Sequence, residues 1–263
     1  MQSLSKKELI VFDLDGTLTP SKSPLEPDMA RALAALLQKK RVAVIGGGTY
    51  AQFTKQFMRR LHCPSALLPN LFLFPTTSTS FYRYRNGAWK NVYHRALTPA
   101  DKKKIMRAFD DAFKEVGYVK PKKLYGKMIE DRDSQLTFSA LGQDVVTRLG
   151  RKGIAMKERW FKENQPLRLK IVKIMQHKLP LFEVRSGGLT SIDVTQKGID
   201  KAYGVRQIEK VLKVRITDMV FIGDALYKGG NDAAAKKTGV QTIPTSGPKE
   251  TIAIIKKILK DAT

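Results

Sequence analysis

The sequence predicts an α/β fold: a Rossmann-like core on a parallel sheet, interrupted by an inserted α+β module with an antiparallel sheet. Three observations point there. Short aliphatic runs alternate with amphipathic helical patterns at both ends of the chain, as in successive parallel β–α units. The middle carries hairpin signals and longer helical patterns instead. Two of the terminal aliphatic runs, Leu9-Ile10-Val11-Phe12 and Met219-Val220-Phe221-Ile222, are followed by acids, Asp13 and Asp224. In an open α/β sheet the carboxyl ends of strands face the ligand crevice.

Each element has its own reason. Leu9–Phe12 is a buried strand by its unbroken apolar run. Pro27–Lys39 is a helix, with Met29, Leu33, Leu36 and Leu37 at three-four spacing. Val42-Ala43-Val44-Ile45 reads as a second strand, and Thr49–Leu61 as a second helix with Phe53, Phe57 and Leu61 on one face. Phe81–Tyr93 reads as a hairpin around Asn86-Gly87, a favoured two-residue turn. Thr98 is a plausible cap for a helix reaching Val116. Met128–Arg132 and Gln135–Leu141 alternate like strands, a helix is expected at Gln165–Lys178, and a second hairpin surrounds Ser186-Gly187-Gly188. The C-terminal part resumes the alternation of the N-terminal part. It has a helix over Lys201–Leu212, a strand at Met219–Ile222, a helix start at Gly230–Lys237 and a helix at Glu250–Lys260. The expected division is therefore 1–87 for the first part of the core, 88–196 for the inserted module and 197–263 for the second part of the core.

Composition narrows the function classes. The chain has 263 residues, 42% of them hydrophobic, which is enough to bury a substantial core. Cys63 is the one cysteine, so no internal disulfide forms and a reducing compartment is expected. The first residues include only a four-residue apolar run, too short for a signal-peptide core, and no stretch reaches membrane-helix length. A soluble cytoplasmic protein without a membrane partner is the expectation. The net charge of +24 favours anionic ligands. The basic residues are spread along the chain, however, with no zinc-finger spacing and no aromatic-basic RNA-binding signature, so nucleic acid is not the expected partner.

The chemistry concentrates in Asp13-Leu14-Asp15-Gly16-Thr17. Two carboxylates one residue apart at a strand end can share a divalent cation, and one of them can attack phosphorus. A calcium loop would require a closing Glu near Pro24, where Lys and Pro interrupt; a plain strand-ending turn stays open from this stretch alone. Phe221-Ile222-Gly223-Asp224, running on to Gly229-Gly230-Asn231-Asp232, repeats the theme. If both strands share a sheet, their acids face one crevice and repel unless a cation joins them; oxygen-only ligands beside a phosphate site suit Mg²⁺. Gly46-Gly47-Gly48-Thr49 lies where a strand enters a helix, an arrangement whose backbone N–H groups bind phosphate. Lys201 opens a later helix and could add a positive charge.

These segments, Asp13–Thr17, Gly46–Thr49, Lys201 and Gly223-Asp224 with Gly229–Asp232, resemble in order the four motifs of the haloacid dehalogenase (HAD) superfamily. Over nearly its whole length the chain is similar to the class IIB branch and, within it, to the eukaryotic-type phosphomannomutases. Ile129-Glu130-Asp131-Arg132, Ser186–Val194 and Gly198-Ile199-Asp200-Lys201 match that family's cap, the inserted module. The resemblance implies a HAD core with an inserted cap, and roles by position. Asp13 would be the nucleophile, forming an aspartyl-phosphate, and Asp15 the general acid and base. Asp13, Asp224 and Asp15 through its carbonyl would hold Mg²⁺, with Asp232 in the same acidic set. Lys201, Gly46, Gly47, Gly48 and Thr49 would hold the phosphoryl oxygens. Lys22, Arg132, Gln143, Ser191 and Asp193 would meet the remainder of the substrate, and relatives dimerise through the cap, so a homodimer is an expectation.

The chain departs from that pattern where a mutase binds its second phosphate. Gln143 stands where the family has an arginine after Ile-Gly, Lys22 where it has another, and Arg148 and Arg151 are the nearest candidates for a third. A neutral amide does not replace a bidentate arginine. The expected function is thus a Mg²⁺-dependent phosphohydrolase acting on a small phosphorylated metabolite, such as a sugar phosphate. The alternative is a phosphomannomutase interconverting mannose 6-phosphate and mannose 1-phosphate. More remote is a basic nucleic-acid-binding protein without catalysis.

Overall fold

The computed structural model describes residues 4–260. Its chain forms two compact units, one running to His94 and resuming at Asp200, the other spanning Arg95–Ile199.

The first unit is organised by a seven-stranded sheet. In chain order it contains β1 (Leu9–Asp13), α1 (Pro27–Lys39), β2 (Arg41–Ile45), α2 (Tyr50–Gln56), β3 (Leu71–Phe74), β4 (Ser80–Arg85) and β5 (Ala88–His94). In the second unit come α3 (Pro99–Val116), β6 (Ile129–Asp131), β7 (Leu136–Ser139), α4 (Val145–Leu149), α5 (Arg151–Lys178), β8 (Phe182–Ser186) and β9 (Ser191–Gln196). The chain then returns to the first unit with α6 (Lys201–Leu212), β10 (Met219–Gly223), β11 (Gln241–Pro244) and α7 (Pro248–Lys260).

The large sheet has the order β11-β10-β1-β2-β3-β4-β5. The first five strands are parallel neighbours, and the β4–β5 hairpin extends the sheet antiparallel. Because side chains alternate along a strand, β1 feeds two cores. Ile10 and Phe12 pack with Leu33, Leu37, Phe53, Ile255 and Ile258 on one face. Leu9 and Val11 pack with Val205, Ile208 and Leu212 on the other. Helices on both faces explain why β1 and β10 read as continuous apolar runs rather than alternating ones.

The second unit obeys the opposite rule. Its four-stranded antiparallel sheet, β6-β7-β9-β8, packs one face against helices of the same unit. Leu136, Phe138, Val184, Ile192 and Val194 point to α3 and α5, where Ile105, Phe109, Ile171 and Met175 are fully buried. The intervening residues, among them Thr137, Ser139, Ser191 and Asp193, are polar and line the other face.

Several local expectations meet a physical reason to differ. The expected boundary after residue 87 falls inside the β4–β5 turn, whereas the units divide after His94. Both hairpin strands belong to the large sheet, where Phe81 stacks on Phe74 and packs against Tyr93. The helix expected to reach Leu61 ends at Gln56 and is followed by a 3-10 turn, Met58–Arg60. The helix expected from Gln165 begins at Arg151 and carries Pro166 inside it, which masks its length in a reading that treats proline as a stop. Strands β3 and β11 are additions to the expected elements, each only four residues long. The turn at Asn86-Gly87 is as expected, with φ of 51° and 73°, and Thr98 caps α3 through a reciprocal box with Asp101. Among the described residues no helix is long and apolar enough to cross a membrane.

One fold feature braces the site. Residues Pro75–Ser78 form a left-handed turn in which Thr76, Thr77 and Ser78 have φ of 48°, 55° and 66°, a conformation costly for β-branched residues. The N–H groups of Thr76 and Thr77 donate to the carbonyls of Gly48 and Gly46 at 2.8 and 2.9 Å. Gly204 of α6 lies against this turn: an added Cβ would fall 2.6 Å from Ser78 Oγ and 3.0 Å from Ile45 Cδ1. Gly→Ala inside a helix ordinarily gains about 1 kcal/mol, but overpacking costs about 1–3 kcal/mol. Overpacking should win here, so Gly204→Ala is expected to lower Tm by several degrees in a thermal melt; an increase would show that the turn yields freely.

Candidate active site

β1 and β10 lie side by side and parallel, which brings their carboxyl ends together. Asp13 is the last residue of β1 and is 4% exposed. Asp224 follows β10 directly, and Asp232 closes the loop after it and is fully buried. Carboxylate oxygens of Asp13, Asp224 and Asp232 all lie within 4.8 Å of one another.

Lys201 meets this acidic group. It is the first residue of α6, whose N-cap Asp200 accepts from the N–H of Tyr203 at 2.9 Å. A cation at a helix N-terminus opposes the helix dipole. It is held there by stronger local charges: the ammonium bonds to Asp13 Oδ1, lies 3.3 Å from Asp232 Oδ1 and donates to the carbonyl of Ile45 at 3.1 Å. Removing one partner from a buried ion pair costs about 3–5 kcal/mol, so this arrangement is tightly determined.

The charges do not balance. Burial pushes the Asp13 carboxyl well above the usual carboxylate range; the Lys201 charge opposes this, and Asp232 and Asp224 add to it. Burial works against the Lys201 ammonium, but Asp13 and Asp232 hold its pKa above the ordinary value. Asp224 is pushed up to about 6, first by burial and then by the charge of Asp232. Three carboxylates around one ammonium leave an excess of negative charge in a poorly solvated place. Asp232 Oδ1 is buried, and its close neighbour is the shared Lys201 ammonium at 3.3 Å. An added Cβ on Gly16 would lie 2.4 Å from Asp224 Oδ2, so only glycine lets the chain pass this carboxylate. A buried all-oxygen set with more negative charge than Lys201 offsets fits a hard divalent cation.

Asp15 occupies a different environment. It is half-exposed, and its Oδ1 accepts from the N–H of Lys22 at 2.5 Å and from Gln56 Nε2 at 2.8 Å. Its carboxylate is not among the clustered acids. Gln56 also donates to Thr19 Oγ1 at 2.8 Å and so ties Asp15 to the turn behind it. Lys22 lies in the first unit, apart from the other residues expected to meet the remainder of the substrate, and its backbone N–H serves Asp15.

Gly46, Gly47 and Gly48 follow β2, and the left-handed turn holds the carbonyls of Gly46 and Gly48 from behind. Thr49 caps α2: its hydroxyl accepts from the N–H of Gln52 at 3.2 Å, while Gln52 Oε1 accepts from the N–H of Thr49 at 2.7 Å. The hydroxyl thus serves the helix as an acceptor, and the Gly46 N–H donates to the carbonyl of Phe74 at 3.3 Å.

The second unit gathers most of the remaining expected residues. Arg132 is 7% exposed, donates from Nε to Glu130 at 2.6 Å and from an Nη to Gln143 Oε1 at 3.1 Å. Gln143 Nε2 donates to the Thr137 carbonyl at 2.9 Å, and the Thr137 hydroxyl donates to Asp193 Oδ1 at 2.8 Å. Ser191 pairs opposite Ser139 at the next position on the same face. Arg148 instead faces Asp144, at 3.5 Å on an exposed helix side. Gln56, Thr17, Glu130 and Thr137 also hold these groups in place, in roles that sequence reasoning misses. Thr17 and Glu130 lie inside segments that the sequence singles out, but nothing local names their partners, and Thr17 bonds to Asp224 across 207 positions of sequence.

The upward shift of Asp224 has a testable sign. An ordinary unfolded Asp titrates near ~3.9. Without a cation, a raised folded pKa gives stability that is complete below ~3.9 and lost as pH rises through about 6. Asp224→Asn is therefore expected to be more stable than the wild type in EDTA near pH 7, by roughly 1–2 kcal/mol, with the gap closing near pH 5. Thermal melts at both pH values decide it; a less stable variant near pH 7 would contradict the repulsion.

Comparison with known proteins places this geometry. Residues 10–233 match the family model of haloacid dehalogenase-like hydrolases. The phosphomannomutase of Schizosaccharomyces pombe is 26% identical over 256 residues, covering 96% of this chain and 94% of the relative. Human phosphomannomutase 1 is 25% identical, covering 88% and 84%. Among solved structures, an N-terminally truncated Plasmodium falciparum IMP-nucleotidase superposes with a TM-score of 0.69 at 17% identity, over 97% of this chain and 71% of that one. Aspergillus fumigatus trehalose-6-phosphate phosphatase superposes with a TM-score of 0.53 at 18% identity, over 97% and 93%. At such identities the structural likeness speaks for the fold alone.

Proposed function

The chain belongs to the haloacid dehalogenase-like hydrolase family and is an enzyme, and on that premise we propose that it is a Mg²⁺-dependent phosphatase of small phosphorylated metabolites that works through an aspartyl-phosphate at Asp13. The observation that carries this reading is the buried meeting of Asp13, Lys201, Asp224 and Asp232 at the carboxyl ends of two neighbouring parallel strands.

Asp13 attacks phosphorus through a carboxylate oxygen, and the bond from phosphorus to the ester oxygen breaks. Asp15 donates its proton to that leaving oxygen, a role suited to a half-exposed carboxyl fixed by Lys22 and Gln56. Water then attacks phosphorus and gives a proton back to Asp15; orthophosphate leaves and Asp13 is restored. Lys201 orients Asp13 and offsets negative charge, and the backbone at Gly46–Gly48 receives phosphoryl oxygens. Asp13, Asp224 and Asp232, with the Asp15 carbonyl, would hold Mg²⁺, which when bound neutralises charge on the transferred group.

Release to water rather than to a second sugar position is favoured by Gln143. It is a neutral amide committed to Arg132 and to the Thr137 carbonyl, where a mutase uses a guanidinium for its second phosphate. The mutase reading rests on a different observation: 26% identity to a phosphomannomutase over 96% of the chain.

Two measurements test these readings. Asp13→Asn is expected to lower turnover of an aryl phosphate with Mg²⁺ at least about a thousandfold, as loss of a nucleophile does elsewhere; retention of a tenth of the rate would remove Asp13 from the chemistry. Incubation with mannose 1-phosphate and a catalytic amount of sugar bisphosphate separates the two outcomes. Free phosphate is expected to exceed mannose 6-phosphate; efficient isomerisation with little phosphate release would establish the mutase.

A further inference from the structure

One face of the large sheet carries a row of cations that phosphoryl transfer does not use. Arg41 opens β2, at the opposite end of that strand from Ile45, whose carbonyl receives Lys201. Phe72 of β3 is paired with Ala43, two residues beyond Arg41, and with Arg83 of β4. Arg83 is in turn paired with Lys90 of β5. Paired residues point to the same face, as do residues two apart, so Arg41, Phe72, Arg83, Arg85 and Lys90 share one surface. The guanidinium of Arg41 lies 5.1 Å from the centre of the Phe72 ring, and that of Arg83 lies 6.0 Å from it.

This arrangement is short of anions. Like charges directly opposite in antiparallel strands are destabilising, and here Arg83 faces Lys90. Arg41 has the carboxylate of Glu8 at 2.6 Å and the Leu212 carbonyl at 3.4 Å. Arg83 Nε is buried and has no hydrogen-bond partner. Burial, and then the charges of Arg85 and Arg41, lower the pKa of Arg83, which marks mutual repulsion within the group. Among the described residues, Arg85 and Lys90 meet no carboxylate and both are exposed.

The row runs from β2 to β5, three strand spacings or about 14 Å. That is too long for one phosphate and suits a chain of them, which arginines bind in pairs of hydrogen bonds. We propose that this face binds a polyphosphate chain, as presented by the backbone of single-stranded nucleic acid or by inorganic polyphosphate, separately from the phosphatase site. β5 is the edge strand of the sheet, so an extended ligand can reach the row from the side.

The experiment titrates the full-length protein with two probes in EDTA. One is a fluorescent oligodeoxynucleotide of about twelve nucleotides with hydroxyls at both ends, so that it offers no phosphomonoester; the other is long-chain inorganic polyphosphate. Contact with three phosphates predicts a slope near about −2 in log affinity against log salt for the oligonucleotide. The exposed pair Arg85→Glu and Lys90→Glu is expected to weaken binding at least tenfold while leaving aryl-phosphate turnover within twofold of the wild type. Arg83→Gln, tested alone, is expected to reduce the salt slope by about 0.7. Whichever probe binds and is lost in the double variant names the source of the phosphates. Failure of both probes to bind the wild type, or affinity kept within twofold in the double variant, overturns the proposal.

Discussion

The buried contact between Lys201 and Asp13 is the interaction on which the rest of the site depends. It joins two residues 188 positions apart and ties the start of α6 to the end of β1. An ammonium and a carboxylate taken out of water are costly unless they meet each other and further polar partners. Here the carbonyl of Ile45 and the carboxylate of Asp232 supply those partners. One ammonium cannot offset three carboxylates, so the group keeps a negative charge that a cation could offset.

The framework around that contact is rigid for reasons that lie elsewhere in the chain. β1 is buried on both faces, and each of its four apolar side chains contributes roughly 2 kcal/mol of burial to fix the strand. The glycine loop after β2 has little packing of its own. Two of its carbonyls are held by a strained left-handed turn, and that turn is in turn accommodated by the absence of a side chain at Gly204. Backbone strain persists only where the surroundings over-determine it, and here the turn is held between Phe74 and Phe81, which are buried in one core and stacked on each other.

Much of this is legible in the sequence because the strongest signals are local. Apolar runs ending in Asp13 and Gly223-Asp224, the Asn86-Gly87 turn and the Thr98 cap each operate within a few residues. What escapes is non-local or masked. Gln56 reaches Asp15 over 41 positions without any motif, and Thr17 acts only because β1 and β10 are neighbours. Pro166 hides the first half of the long helix α5, and nothing in Ala88–His94 says which sheet that strand joins, so the hairpin divides at its turn in a reading of sequence alone. Lys22 escapes in the same way: no motif announces that its backbone N–H serves Asp15.

The second unit is organised around a hydrogen-bonded polar sheet face. That face holds Arg132 between Glu130 and Gln143, so that its guanidinium is partnered within the unit. The central claim, that Asp13 attacks phosphorus, has a direct measurement. Rapid acid quenching after mixing with a ³²P-labelled phosphate ester, followed by peptide mapping, should find the label on the peptide containing Asp13, labile to hydroxylamine as an acyl phosphate is. Label on any other residue, or turnover with no covalent label at any quench time, would contradict the account.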